Sequence, residues 1–199
     1  ALPIYSYDYI LVELTSYLQT SDLVIVNLEG PITPYDSVSM GSEIGSKENY
    51  IFTFDEDITQ ALLRNNIKVV NIGNNHILNF GNKGLDYTLN ALSFAGIKYF
   101  GNTGTDTNLS YSLKVQGKII SLVNYNQFIG NYKDNISETI TEIKKIKNTS
   151  DIVVVYAHWG DEYIKEANKF QVEAAHKFID AGADLVVGSH PHAVQNSEI

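Results

Sequence analysis

The segment Ala183-Asp184-Leu185-Val186-Val187-Gly188-Ser189-His190-Pro191-His192 lies near the end of the printed sequence. Its first five residues predict a short buried β-strand, because most of them are branched and apolar. Two histidines follow this strand, and the proline between them restricts the backbone. Imidazoles are the commonest metal ligands in proteins, so the pair predicts a metal site. We therefore expect other segments of the chain to bring further ligands to this place.

The bulk composition narrows the class of protein. Of 199 residues, 44% are hydrophobic and 19% are charged, which predicts one globular domain over residues 1–199. The net charge of −9 argues against a basic face for phosphate backbones, so we predict no nucleic-acid partner. The absence of cysteine excludes disulfides, zinc–thiolate sites and cysteine nucleophiles. No apolar run suggests a membrane span, and residues 1–9 show no signal-peptide pattern.

The hydrophobic pattern predicts an α/β fold. Apolar runs of strand length occur at residues 22–28, 67–72, 97–100, 151–157 and 183–187. Helical spacing or capping residues occur at residues 5–20, 55–65, 83–95, 134–147 and 170–181. Gln116-Gly117 predicts the turn of a β-hairpin between residues 111 and 125. Alternating strands and helices predict a largely parallel sheet with one hairpin.

Polar side chains with metal-binding chemistry follow several of these strands. Open α/β sheets bind their ligands beyond the carboxyl ends of the strands. The residues at these positions are Glu29, Asn75, His76, His158, His190 and His192. Four of the five histidines are in this set, whereas His176 lies inside a predicted helix and is interpreted as structural. We expect the set to converge on one site.

Each of these residues alone also has an ordinary structural interpretation. His158 could be a hydrogen-bonded turn residue, and Glu29 could be a solvated loop carboxylate. Asn74 and Asn75 could be turn residues, because asparagine tolerates the left-handed region. The metal-site interpretation rests on their occurring together.

The predicted ligand chemistry limits the metal. Imidazole, carboxylate and amide oxygen without sulfur suit divalent Mn, Fe or Zn. A carboxylate such as Glu29 can bridge two ions that activate a water molecule. A histidine that is not a ligand, for which His76 is the candidate, could then protonate the leaving group.

Four motifs resemble one known family. They are Asn27-Leu28-Glu29-Gly30-Pro31-Ile32-Thr33, Asn74-Asn75-His76, His158-Trp159-Gly160-Asp161-Glu162-Tyr163 and His190-Pro191-His192. In this order, over about residues 20–198, they resemble the bacterial capsule synthesis protein family (CapA, PGA_cap) of poly-γ-glutamate capsule biosynthesis. That family is similar to calcineurin-like metallophosphoesterases.

The resemblance implies a metallophosphoesterase-like sandwich of two β-sheets flanked by helices, with a two-metal centre. It implies that the metal ligands are Glu29, Asn75, His158, His190 and His192, and that His76 is catalytic. It also implies that Asn74, Trp159 and Glu162 contact substrate or hydrogen-bond to a ligand. The role of Glu162 stays open.

The sequence departs from the family pattern in three places. Phosphoesterases usually carry Asp where this chain has Glu29. The family's first strand ends in a Gly-Asp that this sequence lacks, and Asp8 is a poor substitute because it lies in a predicted helix. The family also continues with a Ser-Leu-Gly-Asn-Phe segment after the last histidine. We therefore expect the domain to be truncated at both ends.

Three functions follow from the resemblance as expectations. The first is a metal-dependent hydrolase that acts on an envelope polymer or its precursors, with poly-γ-glutamate or a phosphorylated precursor as its ligand. The second is a non-catalytic envelope component that binds poly-γ-glutamate or the membrane-bound capsule synthase or exporter. The third is cleavage or transfer of the γ-glutamyl amide. The resemblance also implies an extracytoplasmic, cell-surface or membrane-attached location.

Overall fold

A computed structural model describes residues 7–104 and 107–199. The α-helices in these ranges are α1 (Tyr7–Leu11), α2 (Thr15–Thr20), α3 (Asp57–Arg64), α4 (Gly81–Ala95), α5 (Tyr132–Ile146) and α6 (Lys169–Ala181). The strands are β1 (Val24–Asn27), β2 (Ile67–Asn71), β3 (Lys98–Asn102), β4 (Thr107–Asn108), β5 (Ser110–Val115), β6 (Lys118–Asn126), β7 (Ile152–His158) and β8 (Leu185–Ser189). No helix in the described part of the chain is both long and apolar enough to cross a membrane.

The strands form two four-stranded sheets, in the orders β1-β2-β3-β4 and β5-β6-β7-β8. In the second sheet β5 and β6 form an antiparallel hairpin, while β6, β7 and β8 are parallel. The hairpin turn is Gln116-Gly117, as predicted, and both residues have positive φ angles, 47° and 85°. Such a turn matches the twist of the flanking strands.

By its internal packing the chain divides into two compact units, and each is described by itself. The first unit includes residues 7–70 and 76–99 of the described chain. Its core contains apolar residues of α3, β2 and α4, among them Leu62, Val70 and Leu92, which are at most 4% exposed. Gly96 ends α4 at a φ of 75°, the left-handed C-terminal cap that the sequence predicts.

The second unit contains residues 71–75 and the described residues from 100 to 199. Helices α5 and α6 supply Ile143 and Phe178 to a core that also includes Tyr125, Val155 and Trp159 of the second sheet or its end. Both Tyr125 and Phe178 are fully buried, and burying a side chain of this size stabilises by about 1.5–3 kcal/mol.

Residues of both sheets pack together inside the second unit. The rings of Phe100 on β3 and Tyr156 on β7 are 5.8 Å apart, edge to face. Asn124 on β6 accepts a hydrogen bond from the backbone N–H of Asn102 on β3, at 2.8 Å. The predicted α/β class, with two β-sheets and flanking helices, is thereby confirmed. The prediction of a single domain over residues 1–199 stays a prediction.

The structure differs from the predicted elements in detail. The helix predicted over residues 5–20 is divided by a 3-10 turn at Val12–Leu14, and its first two residues lie outside the described ranges. Strand β4 has only two residues, too few for any hydrophobic period to show. Asp8 belongs to α1, and its carboxylate forms an ion pair with Arg64 at 2.6 Å. This pairing fits the prediction that Asp8 is a poor metal ligand.

Candidate metal centre

The ends of two parallel strands place the first candidate ligands side by side. His158 is the last residue of β7, Ser189 is the last residue of β8, and the two are partners in the register of the sheet. The backbone N–H of Trp159 donates to the carbonyl of Ser189 at 3.2 Å, which extends the pairing by one residue. His190 therefore leaves the sheet next to His158, and their ring centroids are 5.0 Å apart.

Both ring nitrogens of His158 have polar neighbours, although the side chain is fully buried. Its Nδ1 lies 2.9 Å from Ser189 Oγ, and its Nε2 lies 2.8 Å from Asn75 Oδ1. The Ser189 hydroxyl also lies 3.4 Å from the carbonyl of Ala157, so it can turn either to accept a proton from Nδ1 or to donate one to it. The two distances therefore fit either neutral tautomer of the imidazole.

With its proton on Nε2, His158 donates to Asn75 Oδ1; with its proton on Nδ1, two acceptor atoms face each other. The second case is satisfied by another proton on the imidazole, by an amide turned to present its nitrogen, or by a cation bound to both atoms. Ligands bonded to one ion at about 2.1 Å and at right angles to each other lie about 3 Å apart. The spacing and the nitrogen–oxygen donor pair fit a divalent ion.

The backbone around the two motif histidines is strained. His190 has a φ of 93° and His192 a φ of 50°, both in the left-handed half of conformational space. Side chains other than glycine pay about 1–3 kcal/mol for such conformations, which cluster at functional sites. The backbone N–H of Tyr163 donates to the carbonyl of Pro191 at 2.7 Å, between these two histidines.

Aromatic rings cover the motif histidines. The ring of Phe128, in the loop after β6, lies 4.3 Å from that of His190 and 5.7 Å from that of His158. Tyr163 stacks on His192 at 6.0 Å. His190 is buried, whereas His192 is exposed and its ring is 6.1 Å from that of His190. His158 and His190 thus form the buried part of the site, and half-buried Asn75 lies against His158.

Glu29 and His76 belong to the first unit. Glu29 follows β1 and accepts a hydrogen bond from the Asn27 amide at 2.9 Å. His76 is buried, and its Nδ1 lies 3.3 Å from Asn79 Oδ1. The Asn79 amide nitrogen donates to two backbone carbonyls, of Tyr50 and Phe52, so its oxygen is the atom that faces His76. Nδ1 of His76 therefore donates a proton to the Asn79 oxygen, and this hydrogen bond fixes the orientation of the imidazole ring.

The other predicted residues have different surroundings. Asn74 is fully buried, and its carbonyl accepts from the Asn126 amide at 3.2 Å. Trp159 is buried in the core of the second unit, stacked on Phe178. Glu162 is half-buried in the loop after β7. His176 is exposed and lies 2.9 Å from Glu198, which agrees with its interpretation as a structural residue.

Sequence reasoning missed Ser189, Asn79, Asn126 and Phe128 as parts of the site. Ser189 stood inside the quoted motif, but nothing local indicates that its hydroxyl reaches another strand. Asn79 is three residues after His76, a spacing that could have suggested contact. Asn126 and Phe128 have no local signal, because each acts on residues distant in the chain.

The sequence matches a known protein family along its whole length. The model of the family described as "Bacterial capsule synthesis protein PGA_cap" matches residues 1–199. A capsule biosynthesis protein CapA of Bacillus anthracis is 29% identical over 213 residues, covering 98% of this chain and 51% of that protein. A PGA biosynthesis protein CapA of Bacillus subtilis (strain 168) is 30% identical over 196 residues, covering 91% of this chain and 50% of that protein.

One solved structure supports the fold. A hypothetical protein from Thermus thermophilus superposes with a TM-score of 0.52 at 18% identity, covering 92% of this chain and 62% of that chain. This chain spans about half the length of the curated relatives that it matches. Because the family model matches the whole chain, the protein belongs to the bacterial capsule synthesis protein family PGA_cap.

Proposed function

We propose that the protein is a metal-dependent hydrolase of the metallophosphoesterase type that acts in poly-γ-glutamate capsule biosynthesis. Its substrate is the envelope polymer or a phosphorylated precursor. One observation carries the proposal: Nε2 of buried His158 and Oδ1 of Asn75 face each other at 2.8 Å, while Ser189 Oγ lies 2.9 Å from Nδ1 and can accept its proton. The names of the Bacillus relatives support the biosynthetic role.

Asn75, His158 and His190 would hold the ion. Their nitrogen and oxygen donors suit Mn, Fe or Zn, and the chain has no cysteine to favour a softer site. Glu29 and His192 are further proposed ligands from the family resemblance. When bound, a divalent ion lowers the pKa of a coordinated water toward neutrality and so supplies hydroxide.

His76 is the proposed general acid. Asn79 accepts the Nδ1 proton of His76, so Nε2 is the atom that would take up a second proton from solvent and donate it to the leaving group. The ring of Phe52, centred 4.6 Å from that of His76, limits the rotation of the imidazole.

A polyanionic substrate would be repelled by a chain of net charge −9. Bound divalent ions give the local positive charge that a carboxylate or phosphate group needs. The proposed partners are therefore poly-γ-glutamate, or a phosphorylated precursor, and the capsule synthase or exporter, at an extracytoplasmic envelope location.

Calorimetric titration with Mn²⁺ tests the metal site. We expect saturable binding by the wild-type protein and by His176→Asn, a control in which an exposed histidine is replaced. His158→Asn and His190→Asn should bind at least about 10-fold more weakly. Absence of saturable binding by the wild-type protein would contradict the proposal.

Product analysis tests the reaction. A generic phosphodiester and poly-γ-glutamate are incubated separately with the Mn²⁺-loaded protein and with His76→Asn. We expect His76→Asn to bind Mn²⁺ normally but to lose about 100-fold or more in turnover. Equal turnover by both proteins would contradict the role of His76. No turnover by either protein, or capsule production that is intact with His76→Asn, would instead favour the non-catalytic binding role.

A further inference from the structure

Asn126 is a buried asparagine that ends a β-strand. It is the last residue of β6, is fully buried, and is the register partner of His158 on β7. An amide buried without hydrogen bonds would destabilise the fold by several kcal/mol, roughly 2–7 on transfer scales. The side chain of Asn126 instead makes three hydrogen bonds, and all of them reach outside its own strand.

The amide nitrogen of Asn126 holds the segment that carries Asn75. It donates to the carbonyl of Asn74 at 3.2 Å and to the carbonyl of Asn102 at 3.0 Å. Asn75 is the next residue after Asn74, and its Oδ1 lies 2.8 Å from His158 Nε2. The hydrogen bond from Asn126 to the Asn74 carbonyl therefore fixes the backbone next to Asn75, a candidate metal ligand.

The amide oxygen of Asn126 holds the loop that carries Phe128. It accepts from the backbone N–H of Phe128 at 3.1 Å, the local turn that asparagine side chains favour two residues along the chain. This turn directs the Phe128 ring, which lies 4.3 Å from the ring of His190 and 5.7 Å from that of His158. The Asn126 oxygen therefore positions the Phe128 ring that packs against both histidines.

We infer that Asn126 is a positioning residue of the metal centre, which places the Asn75 amide and the Phe128 ring around His158 and His190. The inference rests on the proposed metal site and extends it to a residue that does not touch the ion. Asn124, two residues earlier on β6, makes different hydrogen bonds. It binds the carbonyl of Gly73 and the N–H of Asn102, neither of which supplies a candidate ligand or the aromatic cover.

Two substitutions separate the role of the Asn126 amide nitrogen from that of its oxygen. Asn126→Ala removes both groups. Asn126→Ser removes the amide nitrogen but keeps an oxygen that can accept from the N–H of Phe128. Asn65→Ala is the matched control, because Asn65 is also buried and donates to a helix carbonyl and to Asp8, neither of which belongs to a candidate site residue.

Calorimetric titration with Mn²⁺ gives the first readout. Loss of groups that orient metal ligands typically weakens metal affinity about 10–100-fold. We expect this loss for Asn126→Ala and Asn126→Ser, and a change of less than about threefold for Asn65→Ala at a similar decrease in Tm. If Asn65→Ala weakened Mn²⁺ binding as much as the Asn126 variants do, a general loss of stability would explain the effect and the inference would be overturned.

Nuclear magnetic resonance of the metal-free protein gives a second readout, which stays valid if the protein binds no ion. In the wild type, long-range proton–nitrogen spectra should show the Nδ1–H tautomer of His158, and the His190 ring protons should be shifted by the Phe128 ring. Asn126→Ala should lose the ring shift and Asn126→Ser should keep it, while both change the His158 signals. Unchanged His158 and His190 signals in folded Asn126→Ala or Asn126→Ser would overturn the inference, whatever the outcome of the metal titration.

Discussion

Replacing Ser189 with alanine tests the hydrogen bond that prepares His158 for a metal ion. Ser189 Oγ lies 2.9 Å from Nδ1, where it can accept the proton of an imidazole that binds a metal through Nε2, and the imidazole is fully buried. Removing the acceptor of a buried donor costs about 1–3 kcal/mol. His158 can recover part of this cost by moving its proton to Nε2, where the Asn75 oxygen is 2.8 Å away.

The recovered hydrogen bond competes directly with the metal. An ion can bind Nε2 only after the proton has left it, so the tautomer that stabilises metal-free Ser189→Ala opposes binding. We expect the Kd for Mn²⁺ to rise about 10–100-fold, as for other groups that hydrogen-bond to a metal-ligating histidine. This change corresponds to about 1.4–2.8 kcal/mol of binding free energy.

Calorimetric titration of three proteins provides the assay: the wild type, Ser189→Ala and Ser189→Thr. Threonine keeps the hydroxyl and suits a strand, so Ser189→Thr should bind Mn²⁺ within about threefold of the wild type. Nitrogen chemical shifts of His158 report the tautomer of each metal-free protein. The reasoning is refuted if Ser189→Ala keeps both the Nδ1–H tautomer and wild-type affinity.

Two further predictions concern stability. A hydrogen bond from Arg64 holds the pKa of Asp8 below its ordinary value of 3.8. The pair therefore stabilises the folded state fully at pH values above 3.8. This contribution is lost as the pH falls through the lower pKa of the folded state. Urea midpoints at pH 7 and pH 3 should therefore differ more for the wild type than for Asp8→Asn, and equal differences would contradict this assignment. A Cβ added at Gly73 would overlap a buried asparagine amide and lie 2.8 Å from a backbone nitrogen, whereas one at Gly41 meets nothing within 4 Å. Gly73→Ala should therefore lower the free energy of unfolding by about 3 kcal/mol or more. Gly41→Ala should lower it by less than about 0.5 kcal/mol. Similar Tm values for the two variants would contradict this prediction and show that the structure around Gly73 can relax.

The elements of the fold were largely predictable because they depend on local pattern. The apolar run before His158 became β7, and the run before His190 became β8. Gly96 and Gly182 end their helices with φ angles of 75° and 116°, conformations that glycine adopts without strain. Hydrophobic period, caps and turn residues act within a few positions of the chain, so they can be recognised without tertiary structure.

The family and the candidate ligands were also accessible from the sequence, because the ligand types occur in ordered motifs. The partners of these ligands were not. His158 meets Ser189 and Asn75, which are 31 and 83 positions away in the chain. Such contacts depend on strand order and register, and a periodic pattern in the sequence does not predict them.

The sequence by itself determined most of the strands and helices, the family and the residue types that offer nitrogen and oxygen to a metal. Only the tertiary structure decided which groups face the two ring nitrogens of His158, and that Asn126 holds both Asn75 and Phe128. The physical reason is that secondary structure follows from interactions between near neighbours in the chain. The direction of a buried hydrogen bond follows from the full set of donors and acceptors that the folded chain brings around it.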